Sequence, residues 1–350
     1  MVALVSLLAL RQTPLADPRA PLTILRSWSF DPIIVLGLFA ATALYLRGVT
    51  RVRQARPPFP RWRVVCFLSG IGVVYLALQS PIQAYSGRLL SVHMVQHLLL
   101  TMVAAPMMVL GTPIVLALRA STGSFRSRIL VPILHSRTAT LLSHPVVSWS
   151  AFTVALWASH FTDLYENALG NQAVHGLEHT LYVTAAVLFW RPVVGLEAGS
   201  SRITHPARLL YLFLAMPQMA FLGLAIYSSD QVLYPHYMFT ASALGTSALA
   251  DQHLAGALMW IASMVLMLPA MAFVLFDWMR KEAREGARLD ARLDRADSAG
   301  RVDEGPERGR LRHEQEERAL GSRSPSPPLR GSSGMRVRRG YSASPADPPP

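Results

Sequence analysis

Seven times along this chain an apolar run approaches the length at which a helix crosses a bilayer, and that recurrence limits the fold more than any other feature. About 20 apolar residues cover the ~30 Å hydrocarbon layer as a helix. The runs fall at 32–46, 63–79, 92–118, 146–160, 175–190, 208–228 and 254–277. The alternating pattern of a membrane barrel is missing, and helices are the other element that satisfies its own backbone in lipid. The expected fold is all-α: a polytopic bundle of seven transmembrane helices over residues 31–279. Pro106 and Pro113 inside the third run predict a kink or a short cytoplasmic extension. The first, fourth and fifth runs are short and recruit flanking residues. Composition agrees, with 51% hydrophobic residues, 15% charged residues and a mean hydropathy of +0.31, which is too apolar for an ordinary soluble domain. The one cysteine, Cys66, excludes a disulfide scaffold and any paired-thiol site within the chain.

The net charge of +12 is carried almost wholly by arginine, since Lys281 is the only lysine. A basic excess suggests nucleic acid or a membrane, and position decides between them. Arg47, Arg51, Arg53, Arg56, Arg61 and Arg63 follow the first run, Arg119, Arg126, Arg128 and Arg137 the third, and Arg191, Arg202 and Arg208 the fifth. The other side holds Arg11, Arg19, Arg26 and Arg88. Thirteen against four marks the richer side as cytoplasmic. The N-terminus is then outside and the C-terminus inside, and nucleic acid is not the expected partner.

Residues 1–30 read as an extracytoplasmic arm. Met1–Leu10 is apolar but has no positively charged start, and Arg11 follows it, so a cleaved secretory signal is not expected. Residues 280–350 turn abruptly polar and end in Ser-, Pro- and Gly-rich sequence. Their composition predicts a disordered cytoplasmic tail, with 280–296 able to prolong the last helix into water. A Gly-rich phosphate loop with its lysine is missing, so direct coupling to ATP is not expected.

Eleven histidines are many for so apolar a chain. His135, His144 and His205 fall in cytoplasmic loops and His313 in the tail. His93, His97, His160, His175, His179, His236 and His253 all fall at the outer ends of runs or in outer loops. His93 and His97 are four apart at the outer start of the third run, and His175 and His179 repeat that spacing in the fifth. Each pair shares a helix face about 6 Å apart along the axis. Imidazole suits copper, zinc, iron and nickel, and such pairs present it well. His160 and His253 lie at the same level. Asp163, Glu166, Glu178, Asp230 and Asp251 offer oxygens that orient imidazoles. Single interfacial histidines are commonly hydrogen-bonding residues, and the methionines Met94, Met102, Met107, Met108, Met216 and Met219 are commonly packing. The paired spacing is what raises a metal or haem role above that reading.

The segment Ser91-Val92-His93-Met94-Val95-Gln96-His97, followed by Pro106 and Gly111-Thr112-Pro113, resembles the signature of the CtaG family of cytochrome c oxidase assembly factors. Trp157 to His160 with Tyr165-Glu166, His175-Gly176-Leu177-Glu178-His179 running to Pro192, and Asp251-Gln252-His253 to Trp260 fit the same resemblance. It covers about residues 30–280. It implies a seven-span protein of the bacterial plasma membrane, needed to make active oxidase and helping copper reach the haem–copper centre. The implied metal positions are His93, His97, His160, His175, His179 and His253. The implied partners are the oxidase subunits, membrane lipid and an extracytoplasmic copper chaperone.

Three functions compete on the residues alone. A non-enzymatic assembly factor holds copper at the outer face. A haem b electron-transfer protein ligates iron between the third and fifth helices. A copper transporter needs ligands through the whole membrane, whereas these are confined to one side. Hydrolysis is not expected, because Glu178 sits beside the second histidine of its pair, whereas the base of a zinc hydrolase follows the first.

Overall fold

Asp31 starts the first helix. Its carboxylate accepts from the backbone N–H of Ile33 at 2.8 Å and Ile34 at 3.3 Å, and Pro32 occupies the first turn, where no N–H is needed. The computed structural model describes residues 27–54, 57–162, 170–195, 203–303 and 306–321. Every long regular element among them is a helix: α1 Pro32–Arg51, α2 Arg61–Gln79, α3 Leu90–Ala120, α4 Pro145–Phe161, α5 Gln172–Val194, α6 His205–Tyr227 and α7 Ala248–Asp303. Helix Pro306–Gly321 follows.

These helices track the seven apolar runs, yet five of them, α1, α2, α3, α6 and α7, are long and apolar enough to cross a membrane. The remaining two fall short for different reasons. At 17 residues α4 is below the length of a full crossing. The 23 residues of α5 are diluted by His175, Glu178, His179 and Arg191. Burial supports a lipid environment for the rest. On α1, Ile33, Leu36, Phe39 and Leu44 are each 66–76% exposed, an apolar face that hydrocarbon accommodates and water does not.

The bend expected at Pro106 is a π-helical turn, Leu99–Ala104, within α3. Ala105 donates back to Leu100, and Pro106 has no N–H to offer Thr101. The indole Nε1–H of Trp190 on α5 donates to that Thr101 carbonyl at 2.9 Å instead. The irregular turn is thereby locked against α5, the helix that faces it across the site. Farther along α3, Thr112 takes a left-handed conformation with φ 48° before Pro113 restarts the helix. Tyr45 on α1 donates to the Gly111 carbonyl there at 2.8 Å, and Arg63 on α2 donates to the Thr112 hydroxyl at 3.2 Å.

Helices α3 and α5 lie together with α4 and α6 around a core in which Phe152, Tyr182, Phe189, Leu212, Leu222 and Ile226 are fully buried. Helices α6 and α7 cross at Gly223 and Gly256, where a Cβ on Gly256 would fall 2.6 Å from the Gly223 carbonyl oxygen and 2.6 Å from the Tyr227 nitrogen. The backbones touch, as small residues permit in lipid.

The chain divides into two compact units, 1–281 and 282–350. In the second, the segment expected to be disordered is helical through Asp303 and again over Pro306–Gly321. Its Ala, Leu, Glu and Arg content explains this, since these residues have high intrinsic helix propensity and form i, i+4 charge pairs. The described side chains of 282–296 and 309–319 are exposed. Residues 1–26 and 322–350, where the outer arm and the end of the tail were expected, lie outside the described residues.

Candidate metal centre

His93 and His97 stand one turn apart at the start of α3, while His175, Glu178 and His179 occupy the first two turns of α5. Positions 175, 178, 179 and 182 are spaced i, i+3, i+4, i+7, so Glu178 and Tyr182 share the histidines' stripe. The two stripes face each other. Ring centroids are 4.3 Å apart for His93–His97 and 4.4 Å for His175–His179. Across the helices they are 5.4 Å for His93–His175, 5.8 Å for His97–His179 and 6.4 Å for His93–His179. His93, His97, Glu178 and His179 are buried and His175 is half-buried.

Two overlapping triads result. His93, His175 and His179 each offer a ligand atom within 4.8 Å of the others, and so do His93, His97 and Glu178. Ligand atoms ~2.0–2.1 Å from one ion in a three- or four-coordinate set lie roughly 3.3–3.6 Å apart, so side-chain closure on an ion makes either triad a ligand set. His93 Nε2 and His97 Nε2 are already 2.8 Å apart, the spacing of two ligands ~2.0 Å from one ion at a right angle.

The donor atoms support this fit. His97 Nδ1, His175 Nε2, His179 Nε2 and both Glu178 oxygens have no hydrogen-bond partner among the described residues. Glu178 Oε2 comes no closer than 3.9 Å to His93 Nε2. Buried polar atoms are almost always hydrogen-bonded, and a carboxylate withdrawn from water without a partner is costly. A cation among these atoms satisfies them together.

The flanking groups are held by other helices. His160 of α4 is buried with its ring 6.5 Å from that of His97, and its Nδ1 lies 2.7 Å from the Leu156 carbonyl. It borders the cluster and joins neither triad. The Tyr182 hydroxyl bonds Ser159 and lies 3.3 Å from His160 Nδ1, while its ring packs 4.2 Å from that of His97. The Tyr237 hydroxyl donates to the Ser86 carbonyl at 3.0 Å and sits 3.3 Å from His93 Nδ1. Neither tyrosine stands out in the sequence from paired histidines alone. Tyr182 was detectable by extending the stripe one more turn, whereas Tyr237 had no local signal.

His253 is not brought to the cluster. Its Nε2 lies 3.2 Å from the Ser229 carbonyl and its ring packs against Tyr227. Asp251 orients no imidazole. It caps α3, accepting from Leu90 N–H at 2.6 Å, Ser91 N–H at 3.3 Å and the Ser91 hydroxyl. The intervening Gln252 accepts from Leu233 N–H at 2.7 Å and donates to the Gln231 carbonyl at 3.0 Å. Three consecutive side chains at the start of α7 therefore fasten the start of α3 and the 229–233 loop. The chain beyond that loop lies over the site: Tyr234 donates to the His160 carbonyl at 3.1 Å, His236 Nε2 lies 3.0 Å from the Gly87 carbonyl, and Thr240 donates to the Arg88 carbonyl at 2.9 Å.

Of the other oxygens, Asp230 is exposed, and Asp163 and Glu166 lie outside the described residues. Met94, Met102, Met216 and Met219 pack in the apolar core. His205 pairs with Asp277 at 3.1 Å and His135 turns back on the Val131 carbonyl at 2.9 Å.

Comparison with known proteins gives a family and no structure. A family model described as cytochrome c oxidase caa3 assembly factor (Caa3_CtaG) matches residues 43–281. Uncharacterized proteins of Mycobacterium bovis and Mycobacterium tuberculosis are each 29% identical over 287 residues, covering 80% of this chain and 43% of their own length. One from Mycobacterium leprae is 27% identical over 274 residues, covering 76% of this chain and 42% of its own. The chain thus spans less than half the length of these relatives. No solved structure matches it.

Proposed function

Because this chain belongs to the cytochrome c oxidase caa3 assembly factors, we propose that it holds a copper ion at the outer face of a bacterial plasma membrane for the oxidase's haem–copper centre. Copper is cargo here, so the protein is an assembly factor and not an enzyme. The observation carrying the reading is the set of buried imidazole nitrogens and carboxylate oxygens without hydrogen-bond partners that converge from α3 and α5. Imidazoles bind the ion, and Glu178 supplies a negative charge where an uncompensated cation would be expensive. The fully buried Tyr182 packs its ring against His97, which favours holding at one level over transport across. Candidate givers and takers are an extracytoplasmic copper chaperone and the oxidase subunits.

Haem b is the weaker alternative. Ring separations of 5.4–6.4 Å between α3 and α5 suit ligands of a single ion, and a porphyrin needs its plane free between two axial imidazoles. The test is metal analysis and a visible spectrum of the purified protein. Copper bound without a Soret band is expected, and a Soret band without copper overturns the reading.

The orientation follows from the arginine partition and from treating α4 and α5 as the fourth and fifth crossings. Reporter fusions after Gln79 and Ser229 are expected outside, and fusions after Arg56 and Arg280 inside. A cytoplasmic reporter after Ser229 moves the cluster to the inner face and removes the link to an extracytoplasmic donor.

A further inference from the structure

The two triads share one residue, and the structure limits what that residue can give. Tyr237 spends its single hydroxyl proton on the Ser86 carbonyl, 3.0 Å away. Its oxygen is then an acceptor, and the group facing it at 3.3 Å is Nδ1 of His93. Nδ1 therefore carries the ring proton, which leaves Nε2 as the one atom of His93 able to bind a cation. That nitrogen is the atom turned toward His97 at 2.8 Å and Glu178 at 3.9 Å.

The triads also differ. In the first, His93, His175 and His179, one member is half-buried and all three ligands are neutral imidazoles. In the second, His93, His97 and Glu178, every member is buried and one is a carboxylate. An ion reaches the first with less rearrangement, and opposite charges attract more strongly in the low-dielectric second.

We propose that the cluster is two alternative seats for a single copper ion, sharing His93 Nε2, with the ion handed from the half-buried imidazole seat to the buried carboxylate seat. The step is a ligand exchange: bonds to His175 and His179 break as bonds to His97 and Glu178 form, with His93 bound throughout. Copper keeps its oxidation state, and any proton on Glu178 leaves to water as the carboxylate binds. Simultaneous occupancy is forbidden, because one nitrogen cannot ligate two ions at these positions. This rests on the copper-holding reading above and adds stoichiometry and direction to it.

The experiment loads the full chain in detergent with Cu(I), then follows copper per chain, the rate of loading and the rate of removal by a water-soluble Cu(I) chelator. Wild type is expected to bind one copper and release it slowly. Glu178→Gln is expected to bind one copper and release it about tenfold faster, having lost the buried seat, with Glu178→Asp in between. His175→Gln is expected to load about tenfold more slowly and release like wild type. Two coppers per wild-type chain, wild-type release from Glu178→Gln, or loss of all copper from either Gln variant each overturn the two-seat proposal, the last by showing one indivisible site. A wild-type chain that takes no copper overturns the copper reading itself, so the two failures are distinguishable. Should Glu178→Gln not accumulate, Glu178→Asp and His175→Gln carry the same comparison.

Discussion

Replacing His93, the ligand common to both triads, by Gln leaves a protein that inserts and accumulates but carries little copper and matures little oxidase. Gln keeps hydrogen-bonding capacity and removes nearly all affinity for soft copper. The change is nearly isosteric, so the packing of position 93 against His97 is largely conserved. Copper content of the purified variant and oxidase activity in the same cells are expected to fall together by at least tenfold. His97→Gln and His179→Gln each remove one seat and are expected to keep copper in the other, whereas His135→Gln and His205→Gln change neither copper content nor oxidase activity, since both lie outside the triads. His253→Gln is expected to be mild, because its contact is with a backbone carbonyl in the 229–233 loop. Full copper and full activity in His93→Gln would show that residue to be a structural hydrogen-bonding histidine.

A leucine at Gly256 is expected to be at least as damaging, by another route. Even a single added Cβ meets backbone atoms of α6 at 2.6 Å, and backbone cannot rotate aside as a side chain can. The helices must separate, and overpacking of this kind costs about 1–3 kcal/mol or more. Because α7 carries Asp251, the separation also strains the cap on α3. The measurable outcome is a lower melting temperature in detergent and reduced accumulation, with copper per surviving chain changed less than abundance. Gly72→Ala is the control, since nothing lies within 4 Å of the added Cβ and alanine favours the helix.

The two paired histidines were legible because helical geometry makes i, i+4 spacing a statement about one face. The lining of the site by other helices was not. Asp251 is separated from Leu90 by 161 residues, and no local pattern marks a carboxylate as the cap of a remote helix. Grouping His253 with the cluster rested on the resemblance and on depth, and depth fixes level and leaves rotation about the helix axis open. Placed beside Asp251 and Gln252, it turns toward the Ser229 carbonyl. Hydropathy similarly located α5 while hiding its ambiguity, because the residues that make it functional are the ones that weaken its apolar character. Prolines announced a bend in α3 but could not say that Trp190 would take up the Thr101 carbonyl. Past Arg280, the charged and Ser-, Pro- and Gly-rich composition was read as a disordered tail with 280–296 able to prolong the last helix, and that helix runs on to Asp303.

The fastening of α3 by the first residues of α7 also sets a schedule. Asp251 follows Leu90 by 161 residues, which at 5–20 residues per second means roughly 8–30 s of synthesis. Through that interval the helix carrying His93 and His97 exists without its cap, and Tyr237 has not yet emerged to settle the proton of His93. The ligands are made early and aligned late. A nascent chain without α7 therefore presents these imidazoles on a helix that still lacks its Asp251 cap.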